Sequence, residues 1–245
     1  MKLIFKNEEI ERIVDSRFME FENRHGKITG LCVPVDEIIE DCGLSILYEK
    51  IVEKEGEKIL GGLNVQEKII VINESHMQLF NEKPGLERST KAHELGHWDI
   101  FVAKNKDNTD SLFGSCQDLV GVSYRNSASG KVISVLLDAW TDQDIYQAYK
   151  IATARKDHPN VASAVDRYAS CLLMPKRIIL RYAEERDLTN WKDLYKVADA
   201  LGVTISALCV RLERLRLVYI KDKKLYILSL TIFLMQDHIP PQFSP

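Results

Sequence analysis

The sequence lacks the features that mark membrane, secreted and disulfide-bonded proteins. Its first residues, MKLIFKNEEIERIV, contain no apolar stretch long enough for a signal peptide. The most apolar run, Leu225 to Met235, is far shorter than the roughly 20 residues that a membrane-spanning helix needs. We therefore expect a soluble cytoplasmic protein that has no membrane partner.

Cysteine usage and charge exclude further classes. The five cysteines are scattered and odd in number, and none forms a C-x-x-C pair, which argues against a disulfide framework and against a structural zinc knuckle. The net charge of −3 gives no reason to expect nucleic-acid binding along the whole chain. The composition is that of a globular protein, and 245 residues suit one large domain or a medium domain with a small one.

Hydrophobic spacing predicts helices around a small sheet. The segments with helical spacing are residues 8–26, 33–43, 85–105, 131–156 and 158–175. The segments LSILYEKIV and EKIIVIN, with GGLN between them, predict strands of a small, mostly antiparallel sheet. Residues 105–130 are polar and predict a long loop, of the kind that often carries function. The predicted fold class is therefore α+β.

The character of the sequence changes from Pro175 to Lys224, where 12 Lys and Arg stand against 7 Asp and Glu. One helical segment there stops at Gly202, and a second begins after Thr204, whose hydroxyl suits a helix N-cap. The following VYIKDKKLYIL predicts a strand, a turn and a strand. A helix-turn-helix followed by a hairpin is a winged-helix pattern.

The segment KAHELGHWDI carries a metal-binding motif. His93 and His97 stand four residues apart, so on a helix they share one face and can grip a single ion. Glu94 is placed to take a proton from a zinc-bound water as general base. A catalytic zinc normally has three protein ligands, so the motif supplies only two of them.

Three segments have counterparts in one known family. They are VPVDEIIEDCGLSILYE with GGLNVQEKIIVIN, then ERSTKAHELGHW, then VDRYASCLLMP, which is similar to the family pattern A-N-x-F-A-x-x-L-L-M-P. Over about two thirds of its length the chain resembles the ImmA/IrrE metallopeptidases, zincin-like proteases of bacteria and their mobile elements. The resemblance implies a zinc endopeptidase that cleaves a helix-turn-helix transcriptional repressor and so derepresses stress, DNA-damage, mobile-element or antiphage-defence genes.

The chain departs from that family at one expected ligand. The resemblance implies a third zinc ligand, a Glu, at the position that Ala162 occupies, and it places Asp166 where the family has Asn. Asp166 suits a supporting role, accepting a hydrogen bond from a ligating imidazole. Three explanations stay open: a natural pseudo-protease, an introduced inactivating substitution, or a ligand shell completed by Asp166 itself or by Cys116.

Two other sets of residues have competing interpretations. Cys116 is a candidate zinc ligand that would displace the catalytic water as an inhibitory latch, or else a small buried hydrophobe. Arg211, Arg214, Lys221 and Lys223 are candidate contacts to DNA phosphates. The alternative for these basic residues is a solvated face on a module that packs against the protease domain or holds the repressor.

The resulting hypothesis is a zinc endopeptidase that Ala162 weakens or inactivates. We expect a zincin-like metallopeptidase domain over residues 1–175, a winged-helix-like module over residues 176–228 and a tail over residues 229–245. Zn²⁺ is the expected cofactor and a helix-turn-helix repressor the expected protein partner, with DNA as a further candidate. The alternative is a non-cleaving regulatory or DNA-linked binding protein built on a decayed protease fold.

Overall fold

Helices surround a small sheet in the computed structural model, which describes residues 6–53, 58–102, 123–124, 161–221 and 224–227. The helices are α1 (Asn7–His25), α2 (Val35–Asp41), α3 (Met77–Glu82), α4 (Pro84–His97), α5 (Val161–Leu173), α6 (Lys176–Glu185), α7 (Trp191–Leu201) and α8 (Ile205–Arg214). The strands are β1 (Ser45–Glu49), β2 (Gly61–Asn64), β3 (Ile69–Asn73), β4 (Ser123–Tyr124), β5 (Val218–Lys221) and β6 (Lys224–Ile227). A 3-10 turn over Glu74–His76 precedes α3, and a π-helical turn over Trp98–Val102 follows α4. The described part of the chain is therefore α+β, as its sequence predicts.

The first two helices form where the apolar spacing predicts them. Helix α1 buries Ile10, Val14, Phe18 and Phe21, which recur every three or four residues and so line one face. It ends at Gly26, whose φ of 88° lies in a region that glycine adopts without steric cost. Both predicted helices are confirmed: α1 ends at Gly26 as predicted, and α2 lies within the predicted range of residues 33–43.

The four-stranded sheet has the order β1-β3-β2-β4. Strand β1 runs parallel to β3, whereas β2 is antiparallel to β3 and to β4, so the pairing between the described strands is mostly antiparallel as predicted. GGLN, which the sequence suggested as the segment between two strands, is itself strand β2. A Cβ at Gly61 would lie 2.8 Å from both Thr90 Cγ2 and Val71 O, so glycine allows this strand to approach its neighbours closely.

Helices α4 and α5 carry the residues that the motif analysis singled out. Helix α4 begins with Pro84 at its first position, where the missing N–H costs no hydrogen bond. Helix α5 ends before Pro175, as predicted. The helix predicted for residues 131–156, and the predicted loop over residues 105–130 apart from β4, lie outside the described residues.

The carboxyl-terminal helices follow the predicted pattern. Helix α7 ends at Gly202, which adopts a left-handed conformation, and α8 begins after Thr204, whose Oγ1 accepts a hydrogen bond from the Ala207 amide at 3.2 Å. Strands β5 and β6 then pair as an antiparallel hairpin. The tail over residues 229–245 lies outside the described residues.

The turn at Gly202 packs against the start of α4. A Cβ at Gly85 would lie 3.2 Å from the Gly202 carbonyl oxygen, and a Cβ at Gly202 would lie 3.0 Å from Arg88 Nε. Most buried apolar side chains of the described residues belong to one cluster that runs from Ile10 to Leu225. Within the described parts of the chain, no helix is both long and apolar enough to cross a membrane.

Candidate metal centre

His93 and His97 lie at the carboxyl end of α4 and face the same side of it. Their ring centroids are 5.0 Å apart, with the rings in an edge-to-face arrangement. The i, i+4 spacing brings this about, since 3.6 residues per turn place the second ring almost directly above the first. Two imidazoles so arranged can share one metal ion, as the motif predicts.

Asp166 approaches the first of these imidazoles from α5. Its Oδ1 lies 2.9 Å from His93 Nδ1, which is hydrogen-bond distance. An ionised carboxylate only accepts hydrogen bonds, so Nδ1 of His93 carries the proton and donates it. The tautomer that results leaves the lone pair of Nε2 available for a metal ion. The supporting contact that the sequence predicts for Asp166 therefore exists.

The two partners in this hydrogen bond differ in exposure. The His93 side chain is 7% exposed, whereas the Asp166 side chain is 46% exposed. The imidazole is thus held inside the protein, and the carboxylate that orients it lies at the boundary with solvent. The contact is of the kind that an orienting group makes with a ligating imidazole, and the alternative role of Asp166 as a direct ligand stays a prediction.

The surroundings of His97 keep its ring neutral. Burial, together with the nearby His93, lowers the pKa of His97 to about 3, although the charge of Asp166 opposes this shift. A metal ion binds the neutral form of imidazole, so His97 needs to lose no proton before binding at neutral pH. Glu94, on the same turn of α4, is fully buried; its role as general base stays a prediction.

A second polar network lies beside the two histidines, and the motif analysis missed it. Asp99, two residues after His97, accepts hydrogen bonds from Arg17 of α1 and from the Tyr168 hydroxyl of α5. Arg, Asp and Tyr residues are common elsewhere in the chain, and these three belong to no sequence motif, so composition and spacing do not mark them as functional. The only sequence signal is Asp99 itself, a charged residue within an otherwise apolar stretch, WDIFV.

The donor set matches a catalytic zinc site only in part. Within the described residues, no group of three or more His, Cys, Asp and Glu side chains is placed to hold a metal. His93 and His97 fit two ligand positions, and the orientation that Asp166 gives to His93 fits a ligating imidazole. Ala162 lies in α5, four residues before Asp166, and its methyl group has no donor atom to offer. Cys116, the other candidate ligand, lies outside the described residues.

The DNA-contact prediction is wrong for Arg211. Its side chain is 1% exposed, its Nε donates to the Met174 carbonyl oxygen at 2.9 Å, and its guanidinium pairs with Glu11 of α1. The spacing of α8 placed this arginine near a surface, but tertiary packing covers it, so it is not accessible to a phosphate.

The other basic residues are less enclosed. Arg214 is half-buried and Lys221 is exposed on the hairpin, while Lys223 lies outside the described residues. Burial lowers the pKa of Arg214, and the neighbouring Arg167 and Arg211 add to this effect. Of the candidate residues that the structure describes, only Lys221 is exposed.

No protein-family model matches the chain, and no curated protein matches it. The family resemblance therefore rests on the quoted sequence motifs alone.

Proposed function

We propose that the chain is a zinc-dependent endopeptidase of the ImmA/IrrE type, with a zincin-like domain and a winged-helix-like module. The observation that carries this proposal is the hydrogen bond between His93 and Asp166, at 2.9 Å. A chance H-E-x-x-H sequence on a surface helix has no reason to be buried against a second helix that supplies an orienting carboxylate. Metal-ligating histidines commonly make this type of hydrogen bond.

Each residue of the site has a role in the proposed reaction. His93 and His97 hold the metal through neutral imidazole rings, and Asp166 fixes the orientation of the first. A zinc ion held there would supply Lewis-acid chemistry, lowering the pKa of a water molecule towards neutrality. Glu94 would serve as general base, taking a proton from the attacking water and passing it to the amine that leaves as the peptide C–N bond breaks.

The proposed substrate is a helix-turn-helix transcriptional repressor, whose cleavage derepresses stress, mobile-element or antiphage-defence genes. This assignment rests on the sequence resemblance. Because Ala162 offers no ligand, we expect the chain to retain zinc weakly and to cleave slowly or not at all. A substrate could still bind, since the residues that recognise it need not be those that hold the metal.

The second candidate function is a non-cleaving regulator, DNA-linked or otherwise, that uses the same fold as a binding platform. The two-donor set favours it, because no third ligand is present among the described residues. The exposed Lys221 is compatible with a contact to DNA, although Arg211 is not available for one. The two candidate functions predict different results when a third ligand is introduced: the endopeptidase would gain peptide cleavage, and the non-cleaving regulator would not.

The Ala162→Glu variant separates the two candidates. Zinc affinity would be measured by competition with a chromophoric chelator, and cleavage by incubation with candidate repressors, beginning with the product of an adjacent helix-turn-helix gene. Loss of an outer partner of a ligating histidine costs roughly 10- to 100-fold in metal affinity, so a restored direct ligand should gain at least that much.

The matched control is Ser163→Glu, which adds the same charge at the next position, about 100° further around the helix. If A162E binds zinc more tightly and cuts the repressor while S163E does neither, the endopeptidase proposal is supported. Adding Glu94→Gln to A162E should then abolish cleavage and leave zinc affinity nearly unchanged. Equal zinc affinity and no cleavage in both single variants would favour the non-cleaving regulator.

A further inference from the structure

The network around Asp99 joins three helical segments at the end of the metal-binding helix. Arg17 of α1 donates from Nε to Asp99 Oδ2 at 3.0 Å and from Nη2 to Asp99 Oδ1 at 2.5 Å. The Tyr168 hydroxyl of α5 donates to the same Oδ2. Asp99 and Tyr168 are buried, at 3% and 0% exposure. A carboxylate in such a place is stable only because both oxygens have strong donors.

Helices α4 and α5 pack directly against each other at Gly96, one turn before Asp99. A Cβ at Gly96 would lie 2.9 Å from Tyr168 Cδ1 and 3.0 Å from Val165 Cγ1, distances that packed side chains do not tolerate. Gly96 therefore allows α4 and α5 to approach through the ring of Tyr168. That ring touches α4 with one edge, and its hydroxyl bonds to the segment that continues α4.

Asp99 can make these contacts because α4 does not end as a regular α-helix. Residues Trp98–Val102 form a π-helical turn directly after His97. Such turns are rare, occur mostly as a single turn and are frequent beside functional sites. Asp99 is the only charged residue of this turn, and its hydrogen bonds to Arg17 and Tyr168 hold it in the interior.

The site hydrogen bond depends on the same helix pair. Asp166 and Tyr168 are two residues apart on α5, and their partners, His93 and Asp99, lie on the α4 segment. A one-residue slip of α5 would displace Asp166 by about 1.5 Å along the axis and 100° around it. A hydrogen bond of 2.9 Å does not survive that displacement.

We propose that Asp99, held by Arg17 and Tyr168, is a positioning residue for the candidate metal centre. It fixes how α5 lies against α4, and so holds Asp166 at hydrogen-bond distance from His93. Its effect on the site passes through the tautomer and orientation of the His93 ring. The expected effect on zinc affinity rests on the proposed function, whereas the expected effect on the His93 tautomer, which is measured without metal, does not.

The test uses Tyr168→Phe in the full chain. This variant keeps the ring against Gly96 and removes only the hydroxyl that binds Asp99. The metal-free readout is the His93 imidazole in nitrogen-15 NMR spectra, where the intact protein should show Nδ1 protonated and Nε2 unprotonated. We expect Y168F to show a mixture of both tautomers, and to bind zinc about tenfold more weakly, at the lower end of the range for lost outer partners.

Tyr48→Phe is the matched control. Tyr48 also donates a hydrogen bond to a carboxylate on α4, that of Glu87, at 2.5 Å, but near the other end of the helix. The Y48F variant should leave both the His93 tautomer and the zinc affinity as they are in the parent chain. A change of equal size in Y48F would indicate a general loosening of α4 and would overturn the inference.

Two further variants keep the inference falsifiable. Asp99→Asn weakens both contacts at once, and Arg17→Lys retains the charge but cannot donate from two nitrogen atoms; both should shift the His93 tautomer in the same direction as Y168F. Folded variants that retain the parent tautomer would overturn the inference. If the tautomer shifts as expected while neither the parent chain nor A162E binds zinc, the positioning role stands and the proposed function fails.

Discussion

Glu11 and Arg211, 200 residues apart in the chain, form a partly buried ion pair between α1 and α8. The Arg211 guanidinium donates to both carboxylate oxygens of Glu11, and its Nε donates to the Met174 carbonyl at the end of α5. The side chain of Arg211 is 2% exposed, so its charge has little access to water. The pair therefore ties the first helix of the chain to the last one that the structure describes.

Replacing Arg211 by Met should destabilise the protein strongly, because it leaves the Glu11 carboxylate without its cation. Breaking a buried ion pair costs roughly 3–5 kcal/mol, and we expect the lower end because Glu11 is 26% exposed. The free energy of unfolding would be measured by denaturant titration. Arg177→Met is the control, since the Arg177–Glu22 pair is more exposed and should contribute about 1 kcal/mol or less. Equal losses in the two variants would contradict the assigned role of Arg211.

The same pair should make stability depend on pH. Burial raises the pKa of Glu11, but the hydrogen bond and charge of Arg211 outweigh burial, so the pKa of Glu11 is lowered in the folded protein. A carboxyl with a lowered folded pKa contributes stability above its unfolded value of 4.5, and this contribution is lost as the pH falls through the folded value. Glu11→Gln should therefore flatten the acid side of the stability profile between about pH 5 and pH 3.

Glu213 provides a contrast of opposite sign. Burial raises the pKa of Glu213 and outweighs a backbone hydrogen bond from Ile220. A carboxyl with a raised folded pKa opposes folding once the pH rises above its unfolded value. Glu213→Gln should then increase stability at pH 7 relative to the parent chain, whereas E11Q should decrease it. Changes of the same sign in both variants would contradict these assignments.

Gly96→Ala should destabilise the fold although Ala is the better helix former. The gain in helix propensity is about 1 kcal/mol, whereas forcing a methyl group into a packed interior costs about 1–3 kcal/mol. The steric overlap outweighs the gain in helix propensity, because the hydrogen bond to Asp99 holds the Tyr168 ring in place and prevents it from moving away. Thermal or denaturant unfolding would show a net loss of up to about 2 kcal/mol.

The control for this prediction is Gly30→Ala. A Cβ at Gly30 has only the Cys32 carbonyl oxygen within reach, at 3.9 Å, which is an ordinary contact. Its stability should stay within about 0.5 kcal/mol of the parent chain. A G96A protein as stable as G30A would mean that α4 and α5 adjust easily, and would weaken the argument for a fixed register.

Asp166→Asn should weaken zinc binding without removing a ligand. An amide can still face His93 Nδ1 but lacks the negative charge that favours a proton on that nitrogen, so we expect a loss of roughly 10- to 100-fold in affinity. Competition titration with a chelator would measure it. Asp193→Asn, which alters a partly exposed carboxylate paired with Lys196 on α7, should change the affinity little. Unchanged affinity in D166N would remove the main support for the metal centre.

Local sequence signals predicted much of the architecture. Periodic apolar residues and a glycine define α1, and Gly202 with Thr204 defines the turn between α7 and α8, because helix caps depend on residues only a few positions away. The parallel pairing of β1 with β3 was not predicted, because strand direction depends on contacts that are distant in sequence. The same reason explains Arg211: its burial is decided by α1, far from α8 in the chain.

The residues of the candidate site also differ in how far the sequence predicts them, according to whether their partners are near or distant in the chain. His93, Glu94 and His97 belong to one helical turn, so their spacing suffices to predict that they lie together. Asp166 was predicted through the family resemblance, and its hydrogen bond to His93 agrees with that role. Asp99 was not predicted, because its partners come from two other helices and its significance arises only when all three are folded together.

The contact between Gly85 and Gly202 limits how this protein can be divided. A fragment starting at Pro175 would lose the first turn of α4, against which its own tight turn packs, and Arg211 would lose Glu11. Such a truncation would expose apolar surface and an unneutralised cation, so it should be prone to aggregation instead of folding alone. Studies of what the carboxyl-terminal helices bind should therefore retain the amino-terminal half of the chain.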